Sequence, residues 1–394
     1  MEWAQAKQND EGLIDVPSSW IYITHYEALN ILFRIENALR VFVYCILKEN
    51  YGAQWTGLQI STAETDSIAI SRLTSRRISQ QQDFAYLGNR IASPMMYLNS
   101  GELIYLIFAD NYWPKFAPYL EGKKEILRNK LEEISTIRNS LAHFRPITQD
   151  DVDVVKQNCK HAFGGIDACL RELTSCHKIV ATNTLDDWYK GLSNIGNEIC
   201  TITLHESPNK KWIRLQLDYS CALLETSADY DTSIYFLVGN LISPSILDQF
   251  EKLAERVLFV NEWMPGLSMP DDKRPEFRKQ VSLTFSSATL KVHYKEIAGE
   301  LKQVLSTLIE DRDLLASDRL ARAKLLSADT VQSVYRKRDK GGYWYMNEDS
   351  LLSKPPQPSP PEFWGTLGRF GARFVDNAAR YPWMPSAICE DFPF

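Results

Sequence analysis

The stretch Leu131-Glu-Glu-Ile-Ser-Thr-Ile-Arg-Asn-Ser-Leu-Ala-His-Phe-Arg-Pro146 constrains this chain more than any other. Leu127, Leu131, Ile134, Arg138 and Leu141 step by four, three, four and three residues, one face of a 3.6-residue period. Ile126 and Ile137 widen that stripe. Pro146 cannot continue a helix and pushes Arg145 toward extended backbone. The pattern therefore predicts an amphipathic helix whose last two turns carry Arg138, Asn139 and His143, with His143 close to the exposed end.

Upstream, residues 1–23 read as an arm with a turn at Pro17. Thr24 and Glu27 have the spacing of a capping box, opening a helix that runs to about Asn50 with Gly52 past its end. Ile35, Leu39, Phe42 and Ile46 give it a core stripe, and Glu36 with Arg40 forms an i, i+4 pair beside it. Residues 59–92 are polar and carry Arg72, Arg76, Arg77 and Arg90, the first three within two helical turns. That run is either a solvated face or a strip that meets phosphates. Ser100 is expected to cap a helix through Ile107, and Trp113, Pro114, Phe116 and Tyr119 to plug a core corner. Thr148, Asp150 and Asp151 open a closing helix that reaches about His177.

Past Ala181 the period changes from helical to alternating. Residues 199–205 and 212–219 read as a β-hairpin, and residues 233–238 and 280–285 as further strands. Helices are expected over 245–260, about 289–315 and 318–334. The expected organisation is an arm (1–23), a helical domain (24–180), a mixed α+β domain (181–354) and a Pro-rich linker with an aromatic tail (355–394). The linker, Lys354-Pro-Pro-Gln-Pro-Ser-Pro-Pro361, reads as polyproline II, and the rings of the tail, Phe363 to Trp383, are expected to pack on the body or on a partner.

Composition narrows the function classes. No run of about 18 apolar residues is present, so no membrane span is expected, and the opening residues are too polar for a signal peptide. The seven Cys are odd in number and scattered, which fits a reducing cytoplasm and not a disulfide scaffold. Cys159, His161, Cys169, Cys176 and His177 lack the paired spacing of a zinc site, so no metal is expected there. A net charge of −6 argues against general adhesion to nucleic acid but leaves room for a local basic cleft.

The Arg138-Asn139-Ser140-Leu141-Ala142-His143 frame, followed by Pro146, resembles the signature of the HEPN family. These are helical-bundle domains, many of them ribonucleases, marked by an Arg and a His with four to six residues between them and a polar residue after the Arg. The order of expected elements over residues 24–177 is similar to theirs. A second frame, Arg171 to His177, lacks the Asn-x-Leu-Ala setting and is set aside. The resemblance implies Arg138, Asn139 and His143 as catalytic residues, and Glu36 on the first helix as an orienting partner of the Arg138 guanidinium, with Arg145 in support. It also implies a homodimer through the helical domain, a stress-response or anti-phage toxin role, and a cellular or phage trigger sensed by the C-terminal domain. Non-catalytic relatives that bind RNA, nucleotides or proteins offer the alternative reading.

The residues themselves permit a definite chemistry without a metal or other cofactor. Imidazole can accept or donate a proton near neutral pH. Guanidinium stays charged and offers a planar fork to phosphate. RNA supplies its own nucleophile, the 2′-hydroxyl, so a base or acid plus a cation suffices for strand cleavage, and DNA is spared. On one ideal helix Arg138 and His143 diverge by about 140°. Two copies with facing motif helices would bring both residue types into a shared cleft, while Asn139, four residues before His143, is placed to fix the imidazole.

Overall fold

The computed structural model describes residues 7–8, 10–11, 14–15 and 23–346, apart from 63–64, 83–93, 175, 177–178, 183, 230–232, 264–276 and 339–340. Most of the expected arm, Arg90, His177 and the whole Pro-rich linker with its aromatic tail lie outside the described residues.

Two short antiparallel strands, β1 (Lys7–Gln8) and β2 (Ile14–Asp15), precede the helix α1 (Ile23–Tyr51). That helix starts one residue before Thr24, so the expected capping box lies inside its first turn. At the other end Gly52 adopts φ +55°, a conformation glycine enters without a Cβ penalty. Every residue from Val41 to Leu47 is buried. A helix that is apolar all round belongs at the centre of a fold, and α1 is the axis of the bundle.

The polar stretch forms a hairpin, β3 (Gln59–Thr62) and β4 (Thr65–Ala69), and then α2 (Ile70–Gln82). Next comes α3 (Ser100–Phe108). Its cap is Asn99 and not Ser100: Asn99 Oδ1 accepts from the Glu102 amide at 2.9 Å, and Glu102 Oε2 from the Asn99 amide at 2.8 Å. Both residue types cap well, and Ser100 is engaged elsewhere. The aromatic corner begins at α4 (Trp113–Phe116), with Phe116 fully buried against Phe42 and Trp113 stacked on Phe108. The motif helix is α5 (Lys124–Ala142), followed by α6 (Gln149–Ala162), capped by Thr148 with Asp151, and α7 (Gly164–Thr174). At Gly165 a Cβ would fall 1.8 Å from the Tyr119 carbonyl oxygen. Only glycine lets the α7 backbone come this close.

The second region contains β5 (Ile179–Val180), α8 (Asp187–Leu192), β6 (Cys200–Glu206), β7 (Trp212–Ser220), β8 (Leu223–Asp229) and β9 (Ser233–Leu241). It continues with α9 (Ser243–Gln249), α10 (Glu251–Arg256), β10 (Phe259–Trp263), β11 (Arg278–Ser286), α11 (Ser287–Ala316), β12 (Leu326–Arg338) and β13 (Gly341–Met346). The strands form two antiparallel sheets, ordered β10-β11-β7-β6-β5 and β13-β12-β9-β8. The stripe Leu290, Ile297, Leu301, Val304 and Leu308 of α11 shares a core with Leu215, Leu217, Val281 and Leu283 of the first sheet.

Two expectations about this region are corrected. Residues 245–260 are not one helix, because α9 and α10 break at Phe250 and the chain then turns into β10, paired along β11. Residues 318–334 are mainly strand, because β12 pairs with β9 from Leu326 to Val334 and buries Val331 and Ser333. Strand preference is set by what the neighbouring strand offers, and tertiary pairing overrides a local helical period.

The second region grips α1. Trp212, Leu258 and Phe259 belong to the same hydrophobic cluster as the bundle helices. Tyr44 donates to the Leu258 carbonyl at 3.0 Å, and the buried Lys48 to the Ala254 carbonyl at 2.8 Å. Trp212→Ala is expected to cost about 3–5 kcal/mol, read as a lower urea midpoint of the helical circular-dichroism signal. A loss below about 1 kcal/mol, small for a core side chain, would show that the indole is not part of the bundle core.

Candidate functional site

The site is organised by a carboxylate inside the bundle. Glu36 is 7% exposed, on the face of α1 that meets α3 and α5. A buried carboxylate needs cations and donors around it, and three elements supply them. From α5, Arg138 Nε donates to Oε2 at 2.7 Å and Nη2 to Oε1 at 3.1 Å, a bidentate clamp. From the next turn of α1, Arg40 Nη2 donates to Oε1. From the start of α3, the Ser100 hydroxyl donates to Oε2 at 3.0 Å.

Each guanidinium is secured on a second side. Arg40 also donates to Asn37 Oδ1 at 3.0 Å and to the Leu98 carbonyl at 3.2 Å. Arg138 donates through Nη1 to Asn139 Oδ1 at 3.2 Å. Two cations around one carboxylate leave local positive charge. Burial, ahead of the attraction of Glu36 and the repulsion of Arg138, lowers the Arg40 pKa from its ordinary value. The Arg138 side chain is 31% exposed against 11% for Arg40. Arg138 is therefore the cation presented outward. Among the described residues these bonds occupy three of its five N–H donors. Leu32, Ile35 and Leu131 line a narrow crevice beside this ion pair.

His143 stands at the other end of the arrangement. It is the exposed C-cap of α5, and its amide donates to the Asn139 carbonyl at 3.1 Å. The chain then leaves the helix through Phe144, whose amide bonds the Leu141 carbonyl, and Arg145, whose amide bonds the Ser140 carbonyl. This paired closure is a Schellman turn, and it sets His143 in solvent. Asn139 does not take the expected place beside the imidazole: its side-chain oxygen faces Arg138, because the guanidinium is the stronger donor within reach.

The other expected residues separate. Arg77 is committed to the fold, donating to Glu102 through Nη1 at 2.8 Å and Nη2 at 2.7 Å and also to the Tyr97 carbonyl. It ties α2 to the cap of α3, so for Arg77 neither of the two readings of the run, a solvated face or a phosphate-facing strip, applies. Arg72 and Arg76 are exposed on α2, and Arg145 is exposed after α5. The thiols of Cys45, Cys159, Cys169 and Cys176 are buried, and burial pushes their pKa values up. Among the described residues no group of three His, Cys, Asp or Glu is placed to hold a metal, and no helix is long and apolar enough to cross a membrane.

Sequence reasoning reached Glu36, Arg40, Arg138, Asn139 and His143 but missed Ser100 as a partner of the carboxylate. Nothing local marks it, because the contact spans 64 residues.

Residues 30–167 match the Swt1-like HEPN family, a segment that contains Glu36, Ser100, Arg138 and His143. No curated protein and no solved structure matches the chain.

The shared carboxylate makes a measurable demand on stability. Removing one partner of a buried ion pair typically costs about 3–5 kcal/mol. Glu36→Ala strands two guanidinium groups and is expected to lose an amount of that order in urea titration. Arg138→Ala leaves the Glu36–Arg40 pair intact and is expected to lose much less. Equal losses in the two variants would mean that Glu36 is not the shared hub.

Proposed function

We propose that this chain, which carries a HEPN domain over residues 30–167, is an endoribonuclease that cuts single-stranded RNA without a metal ion. The observation that supports this reading is an outward guanidinium, fixed by the buried Glu36, on the helix that ends in a solvent-facing His143. That combination supplies a rigid cation for a phosphate and a proton carrier at the same helix end.

In the proposed reaction an imidazole removes the 2′-hydroxyl proton and the 2′-oxygen attacks the adjacent phosphorus. The bond from phosphorus to the 5′-oxygen breaks, and that oxygen takes a proton from a second imidazole. The products are a 2′,3′-cyclic phosphate and a free 5′-hydroxyl, with no change in oxidation state. Arg138 neutralises charge on the non-bridging oxygens. Its orientation by Glu36 is set before substrate arrives, so no rearrangement is needed as that charge grows.

Two imidazoles and two guanidiniums come from two copies related by a two-fold axis. What supports a second copy on α1 is an exposed apolar stripe there, Tyr26, Leu29 and Phe33, 67%, 59% and 38% exposed at i, i+3 and i+7. This stripe runs along the helix toward Glu36. The C-terminal region acts as the regulator, holding α1 at Tyr44 and Lys48 until a phage or cellular trigger is sensed. The biological role is that of a toxin in stress response or phage defence.

Purified protein should cleave a single-stranded oligoribonucleotide in EDTA, leave the matching deoxyribonucleotide intact and sediment as a dimer. His143→Ala should lower the rate by roughly 10²–10⁴-fold, and Arg138→Ala by about 10²-fold or more, with both variants folded. Cleavage that needs added metal, or survives His143→Ala, rules out this mechanism. A monomer at micromolar concentration that still cleaves rules out the shared cleft. Growth arrest on expression, relieved by His143→Ala, tests the toxin role.

A further inference from the structure

Three described residues other than glycine have positive φ: Phe144 at +55°, Lys210 at +58° and Asp318 at +56°. Aspartate enters this left-handed region readily, and Lys210 sits in the tight connection between β6 and β7. Phe144 has no such excuse. It occupies the position after the C-cap of α5, where a Schellman turn ordinarily places glycine. A bulky side chain is a genuine outlier there.

The ring also gains nothing by burial, since Phe144 is 97% exposed. Nor does it serve the turn. The apolar contact that often accompanies such a closure joins the second residue past the cap to the third before it, here Arg145 and Ser140, neither of them apolar. Glycine or asparagine would close the same turn with less strain. One position therefore carries two choices that disfavour the fold, and it lies between His143 and Arg145, both exposed. Backbone strain retained at such a place points to use.

We propose that Phe144 is a base-stacking platform: its ring receives the base of the nucleotide next to the scissile phosphate, while Arg145 meets the RNA backbone. The inference rests on the reading of this site as one that engages RNA. A nucleic-acid partner fits better than a protein partner. Phe144 is the one exposed large apolar residue between 139 and 145, and Asn139, Ala142, His143 and Arg145 along the same segment are exposed and mostly polar or cationic. Single-stranded RNA asks for that combination, an aromatic face for a base and cations for phosphates. The left-handed backbone turns the residue away from the helix, and a phenyl ring has only two χ angles to fix when a base lands on it. Because every base has a π-face, the platform positions the strand without selecting a sequence.

The test uses full-length His143→Ala protein, which keeps the strand intact, and an oligoribonucleotide containing 2-aminopurine. Binding should quench the fluorophore. Adding Phe144→Gly should abolish the quench at the stacked position and weaken affinity by about tenfold or more, whereas Phe144→Trp should preserve both. Phe144→Gly should melt at the same or a higher temperature, because the strain is gone, so lost affinity cannot be lost folding. Unchanged affinity and quenching in the glycine variant overturns the proposal. So does a change from dimer to monomer with RNA affinity intact, which would make the ring a contact between copies. Failure of the nuclease reading looks different: a wild-type chain that never cleaves but loses RNA affinity with Phe144→Gly retains the platform. A chain that cleaves with unchanged KM in that variant retains the nuclease without the platform. A protein that binds no RNA loses both.

Discussion

A carboxylate buried between three helices is an expensive thing to place, and the Glu36 carboxylate is secured by Arg40, Arg138 and Ser100 together. Ion pairs of this kind are poor sources of net stability, since desolvation cancels much of the attraction. Their effect is on uniqueness. A slip of α5 along α1 by one turn would leave a charge unpaired inside the protein, and so would a shift of the α3 N-terminus. The carboxylate thus sets the register of the bundle and fixes the orientation of one outward guanidinium by the same bonds. Structure and site depend on one interaction.

Around this hub the last turns of α5 divide the labour by depth. Arg138 sits partly buried against α1, with its direction fixed, and His143 sits where the helix stops and water begins. For the proposed reaction, a cation that meets the phosphate benefits from a fixed position, already oriented before charge develops. A proton carrier benefits from solvent access, since it must be reset after each turnover. The sharp closure of the helix through Phe144 and Arg145, with Pro146 beyond, separates the two settings within one short segment.

The central helix links this site to the sheet-bearing region. Glu36 and Lys48 lie on the same continuous helix, about 18 Å apart at 1.5 Å per residue. Lys48 is buried and bonded to the Ala254 carbonyl. Tyr44 and Trp212 bring the two regions into one apolar cluster. A displacement of the second region therefore bears directly on the rod that carries the carboxylate, which gives a regulator of this site a physical route.

The sequence by itself determined the helical first region, its central apolar helix, the motif helix and its end before Pro146, the Thr148 cap and the β6–β7 hairpin. Those features rest on local spacing: a 3.6 or two-residue period, a cap residue and a breaker act on neighbours a few positions away. It also carried Arg138, Asn139 and His143 as a group, because they share one turn or the next. Only the tertiary structure decided where each polar group found its partner. Ser100 left a capping role for Glu36, Arg77 went to Glu102, Asn139 turned to Arg138, and residues 326–334 became a strand against β9. In most of these cases the deciding partner lies tens of residues away, and in the Asn139 case the choice hung on where α1 had already fixed the guanidinium. Burial and pairing energies exceed local preference, so a spacing rule cannot anticipate them.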